Sequence, residues 1–312
     1  MEQSRRDFLK KAGFAALSAG LIPGFACQNN KGKKLFFEIS LAEWSLHRTL
    51  REGKLDNLDF AATAKNEFGI DIIEYVNQFF KDKAEDTNYL KELLQRSKDN
   101  GVRNHLIMID GEGGLGDTDE AARTQAIENH YKWVEAAKYL ECATIRVNAY
   151  GVGSAEDVAA AAVDGLGRLG EFASKVGINV IVENHGGYSS NGTWLSNVMK
   201  QVNLPNVGTL PDFGNFCIQR DPNDWKICVE EYDRYQGTKE LMPFAKGVSA
   251  KSYDFDANGD VVETDYRRML QVVKDSGFRG IIGIEFEGDS VSEYEGIKAT
   301  KAALERIGAE IS

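Results

Sequence analysis

The strongest constraint on this chain is an alternation. Short runs rich in β-branched and aliphatic residues recur eight times, at 35–46, 71–76, 104–109, 143–148, 178–183, 207–213, 246–252 and 280–286. Helix-length segments lie between them, among them 89–100, 119–140, 155–175 and 265–276. Gly69, Gly101, Gly177 and Gly277 stand where these helices end, a position that favours positive φ and therefore glycine. Strands alternating with helices of this length imply parallel strands joined by crossover helices. Eight units with no segment left over for a second domain predict one closed (β/α)8 barrel, a TIM barrel, over 34–312, rather than an open doubly wound sheet.

Composition narrows the partners. With 42% hydrophobic and 27% charged residues, the chain of 312 residues is an ordinary globular protein. Its net charge is −11. Residues 1–26 hold Arg5, Arg6, Lys10 and Lys11 against Glu2 and Asp7, a charge of +2, so the remainder carries −13. Such a surface repels phosphate backbones and excludes nucleic acid as a partner. In the body of the chain no apolar run reaches the ~20 residues of a spanning helix.

The N-terminus has a different character. Ser4-Arg5-Arg6-Asp7-Phe8-Leu9-Lys10 precedes a weakly apolar stretch from Ala12 to Ala26. Paired arginines before a short apolar core predict a twin-arginine export signal over 1–26 and a periplasmic protein. Gly24-Phe25-Ala26-Cys27 leaves two outcomes open: plain cleavage nearby, or lipid attachment at Cys27 with 27–33 as a tether. The remaining cysteines, Cys142, Cys217 and Cys228, have no zinc-site spacing; a Cys217–Cys228 pair is left open.

In barrels of this kind the chemistry sits at the C-terminal ends of the strands. The polar residues there are Glu43, Trp44 and His47; Glu74 and Asn77; Asp110; Arg146 and Asn148; Glu183, Asn184 and His185; Asp212 and Asn215; Ser249 and Lys251; Glu285 and Glu287. Glu183, Asp212 and Glu285 each close an apolar run. Three carboxylates facing one barrel interior would repel one another unless a cation lies between them. The expected cofactor is one divalent ion: Mn or Mg for an oxygen-rich site, Zn, Co or Mn if an imidazole joins. Arg146 and Asn148 share a face and are candidates for substrate hydroxyls, with pairing of Arg146 to a neighbouring acid as the alternative. His185 lies on the face of Glu183. His47 and Trp44 are placed to meet a sugar ring, since an aromatic face stacks on a pyranose. His105 reads as a satisfied structural histidine, and His130 as a packing or surface residue. Gly111-Glu112-Gly113-Gly114-Leu115-Gly116 matches a dinucleotide-loop pattern. It follows the third strand, and Asp110, Glu112, Asp117 and Asp119 would repel a pyrophosphate. It is read as a flexible loop over the site, with no nucleotide cofactor.

Glu74, Val182-Glu183-Asn184-His185-Gly186-Gly187, Pro211-Asp212-Phe213-Gly214-Asn215 and Gly283-Ile284-Glu285-Phe286-Glu287-Gly288 together resemble the sugar phosphate isomerase/epimerase family of xylose isomerase-like barrels. The resemblance implies that Glu183, Asp212 and Glu285 bind the metal and that Glu183 and Glu285 also transfer protons. It departs at strand seven: the family's His-x-Lys is Ser249-Ala250-Lys251 here, and Asn215 stands where a histidine is common. Ser249, His185 or water would then complete the coordination, or Lys251 would supply part of the charge. Glu74, Arg146, Asn148, His185, Asn215, His47 and Trp44 are the candidates for substrate contacts. The implied activity is isomerisation or epimerisation of a small unphosphorylated keto-sugar through an enediolate. A lyase or dehydratase acting on a keto-glycoside uses the same parts, and a carbohydrate-binding protein with a decayed site is a non-catalytic alternative. A phosphodiesterase related to endonuclease IV would need many histidines, and the chain has four.

Overall fold

The computed structural model describes residues 34–312. The segments expected to be an export signal (1–26) and a tether (27–33, with Cys27) lie outside the described residues. Eight parallel strands form the barrel: β1 (Glu38–Ala42), β2 (Ile72–Val76), β3 (Arg103–Met108), β4 (Thr144–Val147), β5 (Asn179–Glu183), β6 (Val207–Leu210), β9 (Val248–Ser252) and β10 (Ile281–Phe286). Their order is β6-β5-β4-β3-β2-β1-β10-β9. The seam between β6 and β9 is closed more sparsely, by isolated bridges Thr209–Ala245 and Asp212–Ser249. Two backbone bonds lace it at the mouth: Ser249 N–H to Pro211 O (2.9 Å) and Phe213 N–H to Ser249 O (3.0 Å).

A short helix α1 (His47–Arg51) precedes eight barrel helices: α2 (Phe60–Phe68), α3 (Thr87–Asp99), α4 (Glu120–Tyr139), α5 (Ala155–Ser174), α6 (Gly192–Val202), α7 (Arg234–Leu241), α8 (Tyr266–Asp275) and α9 (Glu293–Ile311). Side chains of Asp86, Asp119, Ser154, Asn191, Asp233, Asp265 and Ser292 accept from the first turn of the helix each precedes. Gly69 ends α2 with φ of 63°, as its position in the sequence predicts. No helix among the described residues is long and apolar enough to cross a membrane.

Strand alternation sorts the apolar residues into two layers. Outward positions such as Ile73, Tyr75, Ile107, Val180, Val182, Ile282 and Ile284 pack in the layer shared with the helices, with Trp133 and Leu166. Inward, Ala42, Val76, Leu106, Met108, Ile181 and Leu210 fill the barrel. Because alternation has period two, the same face carries Glu183 two residues beyond Ile181, Asp212 two beyond Leu210, and Glu285 between the outward Ile284 and Phe286. The apolar plug thus forms the floor on which the polar mouth stands.

Three features differ from the sequence reading. A bulge between β2 and β3 pairs Ile73 with Asn104 and Glu74 with Leu106, leaving His105 over. The extra residue turns His105 toward Gly247 and Leu210, where its Nε2 has no hydrogen-bond partner. The histidine is therefore structural but not satisfied, and burial pushes its pKa down to about 4. The glycine-rich segment after β3 is a packed loop, not a flexible one. Glu112 is buried and accepts from Trp133 Nε1 at 2.7 Å, and a Cβ on Gly114 would stand 2.6 Å from the Tyr150 carbonyl oxygen. Its glycines permit close backbone approach. Finally, an antiparallel hairpin, β7 (Cys217–Arg220) and β8 (Cys228–Glu231), is inserted after β6 and closed by a Cys217–Cys228 disulfide.

Candidate active site

The mouth of the barrel gathers side chains from β4, β5, β6, β9 and β10. Oxygens of Glu183, Asp212 and Glu285, all buried, lie within 4.8 Å of one another. Each is held by different means. Asp212 Oδ1 accepts from the backbone N–H groups of Gly214 (2.9 Å) and Asn215 (2.8 Å), and its Oδ2 accepts from Ser249 Oγ at 2.5 Å. Asn184 fastens this turn by accepting from Asp212 N–H (2.7 Å) and donating to its carbonyl (3.0 Å). Glu183 Oε1 accepts from Asn215 Nδ2 at 2.8 Å. Its Oε2 lies 2.7 Å from Arg146 Nε. That contact is not along the N–H direction, so the buried oxygen has no hydrogen-bond partner. Glu285 accepts from Lys251 Nζ (2.7 Å), with Ser249 Oγ 3.2 Å from its other oxygen.

Two cations stand behind this triad. Arg146, 3% exposed, donates to Asp110 Oδ1 at 2.8 Å, and Asn148 Nδ2 donates to the same oxygen at 2.7 Å. Both therefore have an acid partner, the alternative raised for Arg146 from the sequence. Lys251, also 3% exposed, reaches Glu287 as well as Glu285, at 3.1 Å. Glu287 in turn accepts from Trp44 Nε1. Burial would raise the Asp110 and Glu287 carboxyls, but Arg146 and Lys251 respectively hold them below their ordinary values. Burial raises Glu183 and Asp212; Arg146 partly opposes this for the first and Lys251 for the second. Burial would lower Lys251, and Glu285 and Glu287 overcome it.

The remaining predicted residues fall around this centre. Glu74 accepts from Ser40 Oγ at 2.6 Å and has a second oxygen without a partner. It lies against Gly283, one inward position below Glu285, and burial raises it to about 8. His185 contacts the Tyr150 hydroxyl through Nδ1. Burial, then the positive charge of Arg146 and Lys251, lowers it to about 4, so it is neutral at neutral pH. His47 stacks on Trp44 with centroids 5.0 Å apart, and its Nδ1 lies 2.7 Å from the Trp44 carbonyl oxygen. His130 is buried against the Ala126 carbonyl at 2.7 Å, away from the mouth. Tyr150 and Tyr253 were not singled out from the sequence. Tyr150 lies two residues beyond Asn148 on the same face, a spacing that could have marked it. Tyr253 Oη lies 3.4 Å from Glu287 Oε2.

Charge decides what such a mouth can hold. Among the described residues, the cations in contact with Asp110, Glu183, Asp212, Glu285 and Glu287 are Arg146 and Lys251. That leaves about three unmatched negative charges if all five acids ionise, with Glu183, Asp212 and Glu285 themselves buried. Three converging carboxylates and an adjacent hydroxyl are a donor set that fits a hard divalent cation.

A barrel with an acidic, cation-competent mouth at its C-terminal strand ends is a recognisable class of architecture. The chain belongs to the xylose isomerase-like TIM barrel family, whose model matches residues 60–309. Three solved structures share the fold. The 3-keto-D-glucoside 4-epimerase from E. coli is 15% identical, with TM-score 0.65 over 88% of this chain and 100% of that one. The IOLI protein, solved with a binding zinc atom, is 15% identical, with TM-score 0.67 over 88% and 98%. The probable 3-DHS dehydratase AsbF from Bacillus anthracis is 16% identical, with TM-score 0.61 over 86% and 98%. Comparison with curated proteins returned no match.

Proposed function

We propose that this protein is a sugar isomerase or epimerase that moves a proton next to the carbonyl of an unphosphorylated keto-sugar, assisted by one divalent ion. The observation that carries the reading is the convergence of Glu183, Asp212 and Glu285 within 4.8 Å at the mouth of the barrel. These three residues, with the Ser249 hydroxyl beside them, would hold the ion. When bound, it would polarise the carbonyl and the adjacent hydroxyl of the sugar.

The protein's own groups supply the proton path. Glu183, held by Asn215 and Arg146 and with its carboxyl raised by burial, is the group that takes the proton from the carbon beside the carbonyl. The C–H electron pair then forms the C=C bond of an enediolate as the carbonyl π pair moves onto oxygen. Glu285, entering the cycle in its protonated form, lies across the cluster and gives its proton to that carbon from the opposite face, which leaves Glu183 protonated and Glu285 ionised and yields the inverted epimer; exchange with solvent resets the pair. Lys251 keeps its ammonium proton against Glu285 and Glu287 and limits the negative charge that accumulates. Asn215 and Arg146 orient Glu183, and neutral His185 with Tyr150 offers polar contacts to hydroxyls at the rim. The 3-keto-D-glucoside 4-epimerase that shares the fold supports a keto-sugar substrate. Among the described residues, the cations at the mouth, Arg146 and Lys251, are each paired to acids and form no compact basic cradle for a phosphate.

Elimination is the second reading, supported by the dehydratase with the same fold. It begins with the same proton abstraction, but the electron pair expels a β-substituent instead of being reprotonated. Incubation of keto-sugars in deuterated buffer with Mn²⁺ separates the two. Deuterium incorporation with no leaving group released supports epimerisation; release of the substituent assigns elimination. Lack of both across a substrate panel, with sugar binding intact in Glu183→Gln and Glu285→Gln, assigns a carbohydrate-binding role. Export through the twin-arginine pathway is part of the same proposal. The Cys217–Cys228 disulfide supports it, since such bonds persist in oxidising compartments. Periplasmic fractionation of the wild type and an Arg5→Lys/Arg6→Lys variant tests it.

A further inference from the structure

A cleft opens beside the acidic site, and its walls bear on the kind of sugar the protein takes. It lies between the loops after β4 and β5 and the disulfide-closed hairpin, with a volume of about 600 Å³. That is within the ~300–1,000 Å³ range of small-molecule sites and exceeds what one hexose needs. Tyr150, His185 and Tyr188 line it from the barrel, and Ile218, Gln219 and Trp225 from the hairpin.

The aromatic walls are fixed yet open to water. The Tyr188 hydroxyl donates to the Gly153 carbonyl at 2.9 Å, and its ring stacks on Trp194 at 5.9 Å. The Tyr150 hydroxyl donates to the His185 carbonyl at 2.8 Å. Arg220 donates to the Trp225 carbonyl at 3.0 Å and places its guanidinium 5.5 Å from the indole centroid. The disulfide joins the two strands that carry Trp225 between them. Even so, Trp225 is 77% and Tyr150 42% exposed. Aromatic faces in a concave space, two of them fixed through their hydroxyls, suit stacking against the C–H face of a ring. His185, which follows Glu183 by two residues, forms part of the cleft wall and so ties the cleft to the strand that carries one of the three acids.

We propose that this cleft is a subsite for a second ring, so that the substrate is a glycoside of the keto-sugar and not the free monosaccharide. The acid cluster takes the reacting ring, and Tyr150, Tyr188 and Trp225 take the aglycone. The inference rests on the sugar-acting reading above and narrows its substrate class.

The test compares 3-keto-D-glucose with phenyl 3-keto-β-D-glucoside on the full chain loaded with Mn²⁺. Dissociation constants come from calorimetry, and deuterium incorporation is followed by NMR. The glucoside is expected to bind at least tenfold more tightly, and Trp225→Ala and Tyr188→Ala each to cut that preference roughly five- to tenfold, in keeping with the worth of one aromatic stack. Trp225 is mostly exposed, so its variant should fold, and melting checks this. A preference that Trp225→Ala removes, with no deuterium exchange on either sugar, upholds the subsite while the proton-transfer reading fails. Exchange on both sugars with equal affinities, unmoved by Trp225→Ala, overturns the subsite and leaves the reaction standing. Failure of both sugars to bind overturns the subsite. So does a Trp225→Ala effect confined to the sedimentation coefficient, which would assign the aromatic patch to a protein contact.

Discussion

Lys251→Met probes the charge balance of the mouth most sharply. The Lys251 ammonium is buried and is the cation that contacts both Glu285, at 2.7 Å, and Glu287, at 3.1 Å. Methionine matches the length of the stem without the charge, so packing is largely kept while buried Glu285 and half-buried Glu287 lose their cationic partner. Breaking a buried ion pair from one side costs about 3–5 kcal/mol. For a domain of this size each kcal/mol lowers Tm by roughly 2–4 °C, so the metal-free variant should melt about 6–20 °C below the wild type. The same change makes the site more negative by one charge. A divalent ion should then restore more stability to the variant than to the wild type, and bind it at least tenfold more tightly. Differential scanning calorimetry with EDTA or Mn²⁺, and calorimetric titration, read both effects. Adding Glu287→Gln to Lys251→Met should recover part of the lost stability, because one uncompensated charge is removed. A metal-free Tm within 2 °C of wild type, or a variant that Mn²⁺ rescues no better than wild type, would refute the reasoning that the mouth is short of positive charge.

Other outcomes follow from the same structure. Glu183→Gln and Glu285→Gln should each slow deuterium exchange by roughly 10²–10⁴-fold while sugar binding survives, because each removes one member of the proton-transfer pair and keeps the shape; single-turnover NMR reads this. Burial lowers His105 to about 4, so from about pH 6.5 down to 4 the unfolded chain gains a proton that the folded one does not. The stability associated with neutral His105 is thus fully present above pH 6.5 and is lost as pH falls, the loss reaching about 3 kcal/mol by pH 4. His105→Leu should flatten that acid limb in urea titrations at pH 7 and pH 4.5; an unchanged difference between the two pH values counts against it. Replacing both Cys217 and Cys228 with serine should cost the hairpin about 2–3 kcal/mol of loop-closure stabilisation. Faster amide exchange across 216–232, with the barrel strands unchanged, is the expected signature.

Much of the barrel was legible because its residues obey period two. All eight strands fall within or close to the runs read from the sequence, and the three acids end strands whose interiors are visibly apolar. Inward placement of Glu183, Asp212, Ser249, Lys251 and Glu285 follows from alternation alone. What was hidden depends on register and on contacts distant in sequence. The bulge that turns His105 inward inserts one residue and leaves no local mark. The hairpin from Cys217 to Glu231 is short and exposed, so no apolar periodicity announces it; the two cysteines were the available hint. Arg146 sits between Asp110 and Glu183 because three strands meet there, and no spacing along the chain gives the distance. The packed glycine loop was misread for a related reason. Its glycines answer to the Tyr150 backbone across the barrel rim, a neighbour that the linear sequence does not show.

The account turns on one measurement: divalent metal bound per chain. Purified wild type titrated with Mn²⁺, Mg²⁺, Co²⁺ and Zn²⁺ is expected to bind one equivalent of at least one of them, and Asp212→Asn to lose that binding while keeping its fold. Wild type that binds none at millimolar concentrations, or Asp212→Asn that binds as wild type does, would contradict the central claim that Glu183, Asp212 and Glu285 are a cation site.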